Sequence, residues 1–215
     1  MLNITNYTEN NKVVVMGTVV SELSFSHEVY EEKFYTFMLS VPRLSETEDI
    51  IRVTISEKFL VGLSLHQGMK VIIRGQFRSY NNFTSIGNRL ILTVFVKDIE
   101  EAEDKPLENA NSIHLNGYIC KQPIYRTTPF GREIADILIA VNRSYNKSDY
   151  IPCIAWGRNA KYAETLAIGD NVEIKGRIQS REYQKKITET ETESKTAFEV
   201  SVSRIELVKN IYEED

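Results

Sequence analysis

Aromatic rings and cations stand close together in the second half of the chain, a combination that could stack on a flat ligand and hold its negative charges. As a β-strand, residues 150–156 would place Tyr150 and Trp156 on one side and the smaller Ile151 and Cys153 on the other. The small side chains suit a narrow barrel interior. The two rings are therefore expected on the outside, where they could also pack under a loop or a neighbouring subunit.

Lys and Arg side chains accumulate beside these rings. Residues 181–186 interleave Tyr183 with three cations in what reads as a hairpin. Any single cation reads equally well as a solvated surface charge, and only the group, with rings among its members, favours an anionic ligand. The candidate cations are Arg126, Arg132, Arg143, Arg158, Arg177, Arg181, Lys185 and Lys186.

The sequence shows no pattern for bond-making chemistry. It has no Gly-rich phosphate loop, no His-Glu-x-x-His and no Gly-x-Ser-x-Gly. Its two cysteines, Cys120 and Cys153, form no Cys-x-x-Cys pair, and its three histidines lack the spacing of a zinc site. We therefore expect no catalytic residues, no metal, no cofactor and no enzymatic activity.

The chain repeats itself at an interval of about 100 residues. Gly17 and Gly117 each follow an alternating apolar segment, and Gly68 and Gly169 each precede a second glycine by seven residues. A repeat of this length indicates one duplicated domain, so that differences between the two copies carry information about function.

Length and composition agree with a duplicated soluble domain. The 215 residues, 42% hydrophobic and 26% charged, suit two domains of about 100 residues each. We expect domain 1 at residues 1–105 and domain 2 at residues 106–215, joined by an acidic segment that ends in a proline. The sequence contains no 18-residue apolar run and does not begin like a signal peptide, which favours a cytoplasmic location without membrane contact.

Alternation and β-branched content predict an all-β fold. In the second copy, strands are expected at residues 112–118, 133–142, 150–156, 171–179 and 197–207. Residues 159–167 have helical spacing and are followed by Gly169, a typical end signal. The first copy repeats this plan, with 56–65 as a poorer helix. Five strands with a short helix between the third and fourth predict two tandem OB-folds, which are small Greek-key barrels.

The second copy closely resembles the bacterial single-stranded DNA-binding protein family over residues 112–207. The first copy resembles that family only in its skeleton. Five blocks keep the order and spacing of the family: Asn116-Gly117-Tyr118-Ile119, Thr128-Pro129-Phe130-Gly131, Ile139-Ala140-Val141-Asn142-Arg143, Asp149-Tyr150-Ile151-Pro152-Cys153-Ile154-Ala155-Trp156-Gly157 and Gly176-Arg177-Ile178-Gln179-Ser180-Arg181-Glu182-Tyr183.

This resemblance implies a nucleic-acid site on domain 2. Base-stacking rings of the family lie at the positions of Tyr150, Trp156 and Tyr183, with another near Tyr145. The candidate cations would then contact phosphates. The implied function is to coat and protect single-stranded DNA with little sequence preference during replication, recombination or repair, at the nucleoid.

The first copy departs from the family at the ring positions. Ser45, Ile50 and Ser56 stand where domain 2 has Tyr145, Tyr150 and Trp156, and the strand over residues 50–56 is expected to show a polar outer face. Residues 1–105 contain 11 Lys and Arg against 14 Asp and Glu. We therefore expect domain 1 to bind DNA weakly or not at all, and to serve assembly or rigidity or to bind a protein.

The expected assembly also follows from the resemblance. The family uses four OB-folds per particle, which a homodimer of this chain would supply. Family members usually recruit replication and repair proteins through an acidic tail that ends in Phe. Residues 211–215 are acidic and lack that Phe, so the recruitment motif is incomplete.

One other function remains open from the sequence. The net charge of −4 and the acidic segment 188–193 count against phosphate binding. The rival interpretation is an OB-fold module that binds a protein within a replication or mobile-element complex, with weak or no DNA binding.

Overall fold

The structure, a computed structural model, describes residues 10–43, 45, 47–84, 87–102, 110–186 and 192–208. The first copy contains β1 (Asn11–Val19), β2 (Ser24–Val29), β3 (Glu32–Pro42), β4 (Glu48–Ser56), β5 (Lys70–Thr84) and β6 (Gly87–Glu101). The second contains β7 (Asn111–Ile119), β8 (Ile124–Thr127), β9 (Glu133–Arg143), β10 (Lys147–Trp156), β11 (Asn171–Lys186) and β12 (Thr192–Leu207).

The two copies share one strand order. It is β2-β3-β4-β6-β5-β1 in the first copy and β8-β9-β10-β12-β11-β7 in the second. A further pairing of β1 with β3, and of β7 with β9, closes each sheet into a barrel. Among the pairings within each barrel whose register is described, only β4–β6 and β10–β12 are parallel. This arrangement confirms the predicted tandem OB-folds.

The helix between strands differs in the two copies. In the second copy α1 (Arg158–Glu164) buries Ala160 and Ala163, as the helical spacing predicts. In the first copy, the poorer helix expected at residues 56–65 is present only in a shortened form. The structure has a single 3-10 turn at Glu57–Leu60, capped by Ser56 and without buried side chains. Gly62, two residues after the turn, lies at φ 86, a left-handed conformation that a continuing helix does not adopt.

Contacts within the chain divide it into two compact units. One comprises residues 13–112 and 178–199, and the other comprises residues 1–12, 113–177 and 200–215. In the first of these, the Ser180 backbone N–H donates to Asp49 Oδ1 at 2.9 Å, and Ile50 N–H donates to Ser180 Oγ at 2.9 Å. Arg43 also pairs with Asp49, and hydrogen bonding to Asp49 raises the pKa of Arg43.

The barrel interiors are aliphatic. Ile151, Cys153 and Ala155 are buried along β10, opposite the outer side chains, and Ile51, Val53 and Ile55 are buried in the same way along β4. The polar outer face predicted for β4 is only partly present. Thr54 and Ser56 are buried, and their hydroxyl groups have partners: Thr54 Oγ1 hydrogen-bonds Thr93 Oγ1 at 2.8 Å, and Ser56 Oγ donates to Glu32. In the described ranges, no helix is long and apolar enough to span a bilayer.

Four repeated glycines allow strands to cross closely. A Cβ atom on Gly17 or Gly117 would overlap the carbonyl oxygen of the residue opposite, on β3 or β9 respectively. A Cβ atom on Gly75 or Gly176 would overlap the carbonyl oxygen opposite it on β6 or β12. Because these neighbours are backbone, they cannot move away cheaply.

We predict that Gly176→Ala lowers the free energy of unfolding by about 1–3 kcal/mol, the usual cost of an overpacked core site. Urea denaturation measures this loss. The control is Gly131→Asn, at φ +75 with no atom within 4 Å of the new Cβ, where Asn tolerates the left-handed backbone and should cost less than about 1 kcal/mol. An equal loss in both variants would contradict the close-crossing explanation.

Candidate nucleic-acid interface

The two rings of β10 lie on the outer wall of the second barrel. Tyr150 is 47% exposed and Trp156 is 38% exposed, whereas the intervening odd-numbered side chains are buried. The alternation of the strand accounts for this arrangement. Ile154, on the same side, is 7% exposed, so the wall is apolar between the two rings.

A third ring stands in the same cross-strand row as Tyr150. Ala140 on β9 pairs with both Tyr150 on β10 and Tyr118 on β7. Directly paired residues project from the same face, so the two tyrosines flank the methyl group of Ala140. Tyr118 is 44% exposed. The two rings of this row are therefore separated by two strand spacings, which is about 10 Å, and only the small side chain of Ala140 lies between them.

The sequence interpretation missed Tyr118. It belongs to the motif Asn116-Gly117-Tyr118-Ile119, but its side chain meets Tyr150 only through the register of β7 on β9. In the first copy the equivalent row is Thr18–Ser40–Ile50, which contains no ring. The sequence did contain a signal for this ring, because Tyr118 stands at the repeat interval from Thr18, a residue without a ring.

Arg126 lies in the row of Trp156. Ile134 on β9 pairs with Trp156 on one side and with Arg126 on β8 on the other. The Arg126 guanidinium is exposed and its Nε lies 2.9 Å from Asp136 Oδ2. An exposed pair of this kind contributes about 0–1 kcal/mol, so Arg126 can exchange its partner at little cost.

Arg143 forms an ion pair with a buried carboxylate. Its Nη1 lies 3.1 Å from Oδ1 of Asp149, whose side chain is buried. The pair Arg43–Asp49 repeats this arrangement in the copy whose wall row lacks rings. Because both copies keep the pair while only one keeps the wall rings, neutralisation of a buried carboxylate explains Arg143 better than phosphate contact does.

The other candidate cations occupy varied surroundings. Arg132 is exposed before β9, and its backbone N–H donates to Thr128 Oγ1 at 3.1 Å. Arg158 is exposed at the start of α1, directly after Trp156 and Gly157. Arg177 is half-buried on β11, and Arg181 is exposed with its Nε 3.7 Å from Glu199 Oε1.

Two further rings stand at hairpin tips. Tyr145, at φ 61 and followed by Asn146 at φ 54, forms the turn between β9 and β10 and is 93% exposed. Phe130, between β8 and β9, is 90% exposed and was not among the predicted site residues. Both tips therefore present a ring directly to solvent.

Part of the predicted site lies outside the described residues. The backbone of Tyr183, Lys185 and Lys186 belongs to β11, whereas their side chains lie outside the described part of the chain. The acidic segment 188–193 also lies largely outside it. The structure therefore brings together Tyr118, Tyr150, Trp156 and Arg126 on one wall and leaves those three side chains as sequence-based expectations.

The fold and the outer wall of the second barrel define the class of the protein. It is a tandem OB-fold protein whose second barrel has an aromatic and cationic outer face. The profile of the "Single-strand binding protein family" matches residues 110–208. Single-stranded DNA-binding protein B of Bacillus subtilis is 36% identical over 84 residues, which cover 34% of this chain and 72% of that protein. The chain belongs to the single-strand binding protein family.

Other curated relatives are longer than the matched region. Single-stranded DNA-binding protein 1 of Staphylococcus aureus is 36% identical over 81 residues, covering 34% of this chain and 48% of that protein. Single-stranded DNA-binding protein A of Bacillus subtilis is 33% identical over 97 residues, covering 39% and 56% respectively. The chain thus spans about half the length of these relatives.

A solved structure resembles the whole chain in fold. The wild-type single-stranded DNA binding protein from Thermus aquaticus has a TM-score of 0.73 and 18% sequence identity, covering 95% of this chain and 96% of that chain. A deletion mutant of the same protein gives a TM-score of 0.74 at 19% identity, covering 95% of this chain and 98% of that chain. At this identity the similarity shows the fold alone.

Substitution of Arg143 and of Arg132 should distinguish an arginine that stabilises the fold from one that is only exposed at the surface. We predict that Arg143→Gln lowers the free energy of unfolding by about 1–3 kcal/mol, because Asp149 loses a charged hydrogen-bond donor in a buried position. Arg132→Gln, exposed and without an ion pair to any described residue, should change it by less than about 0.5 kcal/mol. Urea denaturation of both variants checks this, and equal effects would refute the assignment.

Proposed function

We propose that the chain binds single-stranded DNA with little sequence preference through the outer wall of its second copy, and that it does so without catalysis. The observation that carries this proposal is the set of solvent-exposed rings, Tyr118, Tyr150 and Trp156, on one face of the barrel beside Arg126. The curated relatives named above are single-stranded DNA-binding proteins, which supports DNA as the ligand and disfavours a module that binds only proteins.

Binding would combine two physical contributions. Cations such as Arg126, Arg132 and Arg158 contact phosphates and release the counterions condensed on the strand, so affinity falls as salt rises. The rings then stack on bases, and for single-strand-binding OB-folds this stacking is worth about 1–3 kcal/mol per base. Because every base has a π-face, stacking of this kind selects no sequence.

We assign the principal binding site to domain 2, with Tyr183 and Tyr145 adding to its rings and Arg177, Arg181, Lys185 and Lys186 following the backbone. Domain 1 then serves assembly or rigidity. The support for this division is the ringless row Thr18–Ser40–Ile50 at the equivalent place in the first copy.

The proposed assembly is a homodimer, which brings four OB-folds into one closed particle. Such a particle would protect exposed strands during replication, recombination or repair, at the nucleoid in the cytoplasm. Light scattering of the purified chain should give twice the chain mass of 24.7 kDa. A concentration-independent monomer would refute the dimer.

The ring substitutions test the function directly. We predict that Tyr150→Ala combined with Trp156→Ala weakens binding to oligo(dT) at least about 30-fold at moderate salt, which is the loss of about 2 kcal/mol of stacking. Fluorescence anisotropy of a labelled oligonucleotide measures the affinity, with duplex DNA as competitor. Ile168→Ala removes another exposed apolar side chain of the same copy, 64% exposed, and should leave affinity unchanged.

In the same titration, Tyr118→Ala should weaken binding about tenfold, because it removes one of the two rings that flank Ala140. Its matched control is Thr18→Ala, the equivalent position of the first copy.

A change of less than about threefold in the Tyr150/Trp156 double variant would refute stacking on this wall. Equal affinity for duplex and single strands would refute the proposed preference.

A further inference from the structure

The outer wall of the first copy carries its own group of rings and cations. It includes the row His27–Phe34–Ser56, which is equivalent to the row Arg126–Ile134–Trp156 of the second copy. We call His27, Phe34, Phe95, Arg78 and Lys97 the first-copy cluster. The His27 and Phe34 rings are stacked, with centroids 4.9 Å apart and an interplanar angle of 8°. Phe34 and Phe95 lie 5.7 Å apart. Arg78 Cζ and Lys97 Nζ lie 4.1 and 5.4 Å from the Phe95 ring centroid.

Strand register places these side chains on one face. His27 on β2 pairs with Phe34 on β3, directly after an irregularity that follows Phe25. Phe34 pairs with Ser56, and the adjacent Thr54 on β4 pairs with Phe95 on β6. Side chains two residues apart on a strand share a face, so the two paired rows form one continuous surface.

The second copy lacks this cluster. Gly75 and Gly176 are equivalent because each crosses the partner strand at a carbonyl oxygen, that of Phe95 in the first copy and of Ser201 in the second. By the same spacing, Ser203 is the counterpart of Lys97 and Gln179 the counterpart of Arg78. The ring and both cations are therefore peculiar to the copy that has lost the Tyr118–Ala140–Tyr150 row.

The two cations of the cluster lie side by side. Lys97 is exposed, and Arg78 Nη2 donates to Gln76 Oε1 at 2.8 Å. Lys97 forms no ion pair within the part of the chain that the structure describes, and burial followed by the neighbouring Arg78 lowers its pKa. Glu32, the carboxylate that begins β3, is already held by Lys58 and Ser56. Two like charges over one ring repel each other, and an anion placed between them would relieve that repulsion.

The rings indicate which anion fits. His27 is exposed at the end of a parallel stack, so a flat group can extend the stack by one further plane. An acidic peptide would satisfy Lys97 and leave the exposed ring without a partner. A nucleotide supplies both a π-face and a phosphate.

We propose that the first-copy cluster is a second contact for single-stranded nucleic acid, in which a base stacks on His27 and an adjoining phosphate is held by Lys97 and Arg78. This inference rests on the proposed function, since a strand longer than one barrel can cover leaves bases and phosphates for a further contact. It assigns the first copy a direct part in binding longer strands, in addition to its role in assembly.

The test uses the full chain and two lengths of oligo(dT). A short strand of about 8 nucleotides falls within the range covered by one OB-fold, and a strand of about 30 nucleotides exceeds it. His27→Ala combined with Lys97→Gln should leave affinity for the short strand within about twofold and weaken binding of the long strand at least about tenfold. The slope of log affinity against log salt for the long strand should fall by about 0.7, the value for one phosphate contact on a single strand.

The matched control is Arg74→Gln, which makes the same change in charge in the same copy. Arg74 is not part of the cluster, and its Nη1 lies 3.0 Å from Asp98 and 2.8 Å from Glu100, so two carboxylates already balance its charge. This variant should bind both strands as the unsubstituted chain does. An equal loss in Arg74→Gln and in the cluster variant would overturn the proposal, because net charge alone would then explain it.

A second measurement requires no substitution. A 5-bromouracil oligonucleotide of about 30 nucleotides, crosslinked by light to the unsubstituted chain, should label a peptide that contains His27 or Phe95. Crosslinks confined to residues 113–186 would overturn the second contact.

The outcomes separate the second contact from the proposed function. Unchanged long-strand affinity in the cluster variant, with affinity still lost in the Tyr150/Trp156 variant, refutes only the second contact. Failure of the unsubstituted chain to bind either strand refutes both. Binding of a poly-glutamate peptide that depends on Lys97, without any effect of Lys97 on DNA, would assign the cluster to an acidic protein partner and overturn the proposal.

Discussion

The close crossing of strands at four glycines is the constraint on which the rest of the molecule depends. Gly17 and Gly117 allow the first strand of each barrel to meet the third, and Gly75 and Gly176 allow the last two strands to cross. These contacts constrain the register of the strand pairs in which they lie. Because side chains alternate with a period of two, a slip of one residue would turn Tyr150 and Trp156 into the barrel and Ile151 out to solvent. Neither copy can change its register, but each can change the residues that its register presents outside.

The two copies have used this freedom differently. In the second, the row Tyr118–Ala140–Tyr150 places rings at the edges of three adjacent strands, whereas the same row in the first is Thr18–Ser40–Ile50. The first copy has the rings His27, Phe34 and Phe95 where the second has Arg126, Ile134 and Ser201. Duplication has therefore preserved the interior while the side chains of the outer wall changed.

Sequence reasoning reached the strands, the barrel class and the outward direction of Tyr150 and Trp156, because each depends on a local period. It did not reach Tyr118, whose position opposite Tyr150 depends on how β7 pairs with β9. It also missed the β2–β3 hairpin. The turn there is Tyr30-Glu31, at φ 49 and 65, and neither is a residue type that favours positive φ. The burial of Thr54 could not be predicted from the sequence either. Alternation shows to which face of the strand a side chain projects, but not which distant strand packs against that face.

The acidic net charge of −4 becomes compatible with phosphate binding once the ion pairs are sorted by burial. The carboxylates Asp49 and Asp149 are buried and are each held by an arginine, so they contribute little field at the wall. Arg143 cannot leave Asp149 without depriving a buried carboxylate of its cation. Arg126 can leave Asp136, because both are exposed and the pair is worth about 0–1 kcal/mol. The cations that can turn to a phosphate are therefore those whose present partners are solvated, and Arg126 lies in the row of Trp156. Burial, more than the number of charges, decides where an anionic strand can be held.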